Sequence, residues 1–206
     1  MRVFHLFGIT APLAAGLFAL AIGGDRLAQI FFWIGVSVMS VANIGLVWLA
    51  AKPERWQPKP VGILWIVATF GVLPMLYYFG PFSAVVMVPI LGIIFISLGR
   101  SRWISTSIIV ICVVAHLALA VPMIVGWIPD VGVMASNGVA LHQKIFAEVL
   151  IIAFQFSGFA LGRWARSANT TAVAELQSAM QIIGDQQQVL AEAKDDDARV
   201  RHADEG

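Results

Sequence analysis

Long apolar runs, cut by short charged clusters, organise the chain as far as Gly162, beyond which the pattern turns polar. Val3–Ile22 is apolar and ends at Gly23-Gly24-Asp25-Arg26, and Ala28–Ala50 ends at Lys52-Pro53-Glu54-Arg55. Residues 60–99 hold no charge at all. As one helix they would run to about 60 Å, twice the hydrocarbon thickness of roughly 30 Å. Gly80-Pro81 is a turn signal inside that run, so it divides into spans at about 61–79 and 82–98. Trp103–Val125 follows Arg100-Ser101-Arg102, and Leu141–Gly162 ends at Arg163. The pattern predicts an all-α, polytopic membrane protein: a six-transmembrane-helix bundle over residues 1–163 with a C-terminal cytoplasmic helix. The first run also carries Ala19-Leu20-Ala21, a cleavage-like site, but it is longer than the apolar core of a signal peptide and is read as a span.

The polar segment keeps a helical rhythm. Val173, Leu176, Met180, Ile183, Gln187 and Leu190 alternate by three and four, the a/d seam of a coiled coil with Gln187 at an a position. Such a seam needs a partner helix, and a homodimer supplies one. The alternative is a helix lying on the membrane. That use favours Lys and Arg on the polar face, and residues 167–193 contain neither. The expected domains are therefore the bundle at 1–163, a cytoplasmic signalling helix at 164–194 weakened at Gly184-Asp185, and a loose, highly charged tail at 195–206.

Composition sharpens the class. Of 206 residues 59% are hydrophobic and 12% charged, about half the charge of an ordinary soluble domain. The lipid bilayer is the first expected partner. A net charge of +1 offers no field for nucleic acid, and the single cysteine, Cys112, excludes a disulfide framework. Lys and Arg in the loops set orientation. Arg2, Lys52, Arg55, Lys59, Arg100, Arg102, Arg163 and Arg166 fall on one side, against Arg26 and Lys144 on the other. Both termini are expected in the cytoplasm and the chain in a bacterial inner membrane.

Ionisable groups inside spans are costly and need a reason. Tyr77, Tyr78, His116 and Glu148 all fall in the outer half of their spans and form the candidate ligand-binding set, for something small and lipophilic. The alternative is packing, with Glu148 and His116 satisfied inside the bundle. A haem would need His116 with His142 or His5; His5 belongs to the opposite side, and no cofactor is expected. Gly158 and Gly162 form a GxxxG that serves either a second chain or close packing within one bundle. No phosphate-binding loop, HExxH or hydrolase signature occurs, so no catalytic or metal site is expected.

The stretches "YYFGPFSAVVMVPILGIIFISLGRSR" (77–102) and "QQQVLAEAKDDDARVRHADEG" (186–206) resemble the N-terminal membrane region of bacterial Hanks-type serine/threonine protein kinases. "ERWQPKP" and "FGVLPMLYYF" are similar to six-span sensors ahead of quorum-sensing histidine kinases and class III adenylate cyclases. The resemblance implies a sensor and anchor module feeding a fused cytoplasmic output domain, most simply a serine/threonine kinase. The chain carries no catalytic domain, so the resemblance brings no catalytic residue and the chain is not expected to be an enzyme. A small transporter or channel with a regulatory tail is the rival expectation.

Overall fold

The computed structural model describes residues 2–204, and the side chains of all of these except 2–4, 7, 53 and 188–204. Among the described residues there are six α-helices: α1 (Arg2–Ile22), α2 (Arg26–Ala50), α3 (Pro58–Phe79), α4 (Met87–Ser97), α5 (Arg102–Ile124) and α6 (Leu141–Asp204). Among the described residues there is no strand. The chain divides into two compact units, Met1–Arg163 and Trp164–Gly206.

Local chemistry sets the helix ends. Gly23 and Gly24 take φ of 78° and 114°, a left-handed region closed to most side chains, and turn the chain between α1 and α2. Asp25 then caps α2 by accepting from Ala28 N at 2.9 Å. Pro58 opens α3 where a missing N–H costs nothing, and Ser101 caps α5 through Ile104 N. Pro89, expected within a span, is the third residue of α4, where its absent N–H would have had no partner.

Four helices are long and apolar enough to cross a membrane: α2, α3, α5 and the apolar part of α6. Six spans were expected, and four of the helices meet that length and composition among the described residues. The span expected at 82–98 begins with a Gly80-Pro81-Phe82-Ser83 turn and a short 3-10 segment, Ala84–Val86, leaving eleven residues for α4. At 1.5 Å per residue, Ala84–Ser97 covers about 21 Å of a core of roughly 30 Å. α1 runs for 21 residues, Arg2–Ile22. The outward faces remain apolar, with Leu17, Phe18, Val41 and Ile63 all well exposed. Such surfaces suit hydrocarbon, because in a membrane every backbone group must be satisfied within the helix and the side chains face lipid.

Inside the first unit the helices approach at glycines. Gly35 on α2 and Gly71 on α3 meet backbone to backbone; a Cβ on Gly71 would stand 2.8 Å from Gly35 O. Gly8 faces Asn43, Gly16 receives the ring of Trp33, and Gly62 receives Ile104. Between apolar helices in lipid, van der Waals packing is the main attraction, and small residues allow it. The loops sort onto two ends. At one, Tyr78 Oη donates to Gly23 O, and Val133 N and Met134 N donate to Tyr78 O and Phe79 O at 2.8 and 3.0 Å. At the other, His5 lies against Trp56 and Trp65, and Arg163 bonds the turn after α4.

In the second unit the backbone is helical to Asp204, through Gly184 and through the segment expected to be loose from residue 195. No proline or glycine lies between Gly184 and Asp204, so the hydrogen-bond ladder has no built-in stop there. Residues 167–187 are exposed throughout.

Candidate functional site

The inward stripe of α5 is Ser105, Ile108, Ile109, Cys112, His116, Ala120 and Met123. That of α6 is Glu148, Ile151, Gln155, Gly158 and Gly162. Both repeat by three and four, as one face of a helix must. Where the stripes meet, His116 Nε2 stands 3.0 Å from Glu148 Oε2. Among the described residues this is the sole acid–base pair in contact. His116 is 1% and Glu148 5% exposed. Each has a second polar atom, Nδ1 and Oε1, with no protein hydrogen-bond partner among the described residues, and Gln155 Oε1 shares that condition two turns along α6. Buried polar atoms are seldom left so, since each costs about 1–3 kcal/mol.

The other two members of the expected set lie elsewhere. Tyr78 is fully buried against Phe32, and its hydroxyl donates to Gly23 O at 2.7 Å, with Ala19 O at 3.3 Å. Tyr77 is half-buried, with its ring edge-on to Phe31 at 5.8 Å. The reason is the tight α2–α3 pairing, which carries the end of α3 to the α1–α2 turn. The structure thus brings together His116 and Glu148 and ties Tyr77 and Tyr78 to α1 and α2. His142 is exposed at the start of α6. His5 is buried at the opposite end beside Asn43, with Nδ1 3.4 Å from Asn43 Oδ1. No group of three potential metal ligands occurs among the described residues.

Gly158 and Gly162, expected to serve either a second chain or close packing within one bundle, pack closely within this chain. A Cβ on Gly162 would stand 2.6 Å from Ile94 O and from Ser97 Cβ, and one on Gly158 would touch Ile94 and Ile90. The close approach that GxxxG permits is made with α4 of the same chain. Of the seam, Val173, Leu176, Met180 and Ile183 are 48–65% exposed and Gln187 is exposed, while Leu190 lies outside the described side chains.

Two polar nodes went unmarked in the sequence. Asp130 is buried in the loop before α6 and accepts from Gly132 N, Ser136 N and Ser136 Oγ. The Asp130-Val131-Gly132 spacing, an Asx-type turn, was its signal. Arg163 was read only as a cation flanking the membrane; its Nη1 donates to Ser97 O and Gly99 O at 3.3 and 3.1 Å.

The fold and the site together define an all-helical chain with four membrane-competent helices and a buried acid–base pair between two helices of its first unit. No protein-family model, no curated protein and no solved structure matches it.

Proposed function

We propose that the chain is the membrane sensor and anchor module of a bacterial signalling protein. In this reading α1 and α4 join the four longer helices to complete six spans in the inner membrane, both termini are cytoplasmic, and α6 relays a signal to a cytoplasmic output domain of the serine/threonine kinase kind. A homodimer forms through the seam Val173, Leu176, Met180, Ile183, Gln187 and Leu190. The observation that carries the reading is that one helix, α6, holds Glu148 in the bundle and the exposed apolar seam in the second unit. Lys52, Arg55, Lys59, Arg100, Arg102 and Arg163 share one end of the bundle, against Arg26 and Lys144 at the other, as the positive-inside rule asks.

The test is insertion after Ala165, with a kinase fused downstream of α6. Each added residue turns the seam by about 100°, and seven nearly restore its phase. Output should vary with insert length and recover near seven. Output indifferent to insert length refutes the relay. The buried pair favours a second reading, a small transporter; substrate flux in liposomes bearing the chain alone would establish that one instead.

A further inference from the structure

His116 and Glu148 share one hydrogen bond, and each keeps a second protonatable atom unused. Nε2 and Oε2 are 3.0 Å apart, while Nδ1 and Oε1 have no protein partner among the described residues. The surroundings are apolar. One turn along each helix, Leu119 and Ile151 enter a cluster with Leu76, Val86 and Ile90. The ionisable groups on the elements around the pair are few. On α5 there is Cys112, and on α6 there are Lys144 and His142 towards the loop, while Arg102 on α5, Lys59 on α3 and Arg163 on α6 lie at the other end; α4 has none. On α3, Tyr78 is bonded to Gly23 O and Tyr77 lies against Phe31. Asp130 in the α5–α6 loop is bonded to that loop.

Charge counting then restricts the pair. A neutral imidazole with a carboxylate is a buried net charge of −1. One added proton makes the pair neutral, whether as imidazolium with carboxylate or imidazole with carboxylic acid. A second proton leaves +1. An uncompensated buried charge is the costly condition in low dielectric, and of the three states only the singly protonated pair carries none. Glu148 is seven residues past the start of α6 and His116 eight before the end of α5, about 10–12 Å from the same end.

We propose that His116 and Glu148 form a proton-binding site within the helical bundle, which takes up one proton from water and releases it, and that its occupancy sets the strength of the α5–α6 link. With the proton bound as imidazolium and carboxylate, Nε2–H donates across opposite charges, and the pair carries no net buried charge. Without it, the imidazole donates to a carboxylate whose charge is uncompensated. Only the consequence rests on the relay reading: if α6 relays, proton uptake is the signal.

Infrared difference spectra test the site, with the full chain in neutral phosphatidylcholine vesicles taken between about pH 5 and pH 8, where histidine ordinarily changes charge. A carboxyl or imidazole component should change with pH. E148Q should abolish the carboxyl part and H116Q the imidazole part, with helical content retained. Glu148→Asp, which keeps the acid, should shift the component without abolishing it and serves where E148Q does not fold. A spectrum with no pH-dependent component that these variants alter overturns the proposal. Insertions after Ala165 should leave the component unchanged. Loss of the relay and loss of the proton site are thus read separately.

Discussion

Tyr78 Oη lies 2.7 Å from Gly23 O, so the end of α3 is bonded to the turn between α1 and α2. The ring completes a cluster with Ala19, Ala28, Phe32, Val36 and Met75. Tyr78→Phe removes the bond and keeps the ring, at about 0.5–1.5 kcal/mol. Tyr78→Ala also opens a cavity, at about 3–5 kcal/mol by analogy with Phe and Trp truncations. Unfolding in mixed micelles should rank wild type, Phe and Ala in that order. Equal loss in the two variants would mean that the hydroxyl, not the ring, holds the joint.

Arg163 closes the turn after α4. Arg163→Ala leaves two carbonyls without their charged donor, at about 1.5 kcal/mol or less because the side chain is only part-buried. Arg163→Lys keeps a charged nitrogen with three N–H donors, and should lose less. Amide exchange in the last turn of α4 should quicken in both, more in the alanine variant. Unchanged exchange there would show that the turn holds without Arg163.

Gly158 and Gly162 are predicted to act within one chain. Gly162→Ala places a methyl against Ile94 O and Ser97 Cβ and should cost about 1–3 kcal/mol; Gly158→Leu should cost more. The dimer fraction of whatever protein remains folded should stay at the wild-type value. A fall in dimer fraction at wild-type stability would return the motif to an interface between chains.

The seam is predicted to pair with its copy in parallel and in register. In a Cys112→Ala background, cysteine at Leu176 or Met180 should give disulfide-linked dimers on mild oxidation, and cysteine at Ser178, on the outer face, should give few. In the same background, cysteine at Asn137 should react with an impermeant thiol reagent added outside cells, and cysteine at Ser178 should not. Labelling at Ser178 alone would invert the topology and remove the cytoplasmic stalk.

The sequence by itself determined the class of this protein. Charge-free runs, Gly23-Gly24, Gly80-Pro81 and the caps at Asp25 and Ser101 are local signals, and the helices begin and end close to where those residues place them. The apolar stripe Val173, Leu176, Met180 and Ile183 beyond Arg163 can be read from spacing alone, because it stands out from a polar face. Inside the bundle that contrast disappears: lipid and core are both apolar, so hydropathy does not say which face of a helix turns inward. Only the tertiary structure decided that Glu148 meets His116, that Tyr78 turns to Gly23, and that Gly158 and Gly162 pack against α4. Depth along a span can be counted from the sequence, but azimuth around it is set by the packing of neighbours, and a site is defined by azimuth.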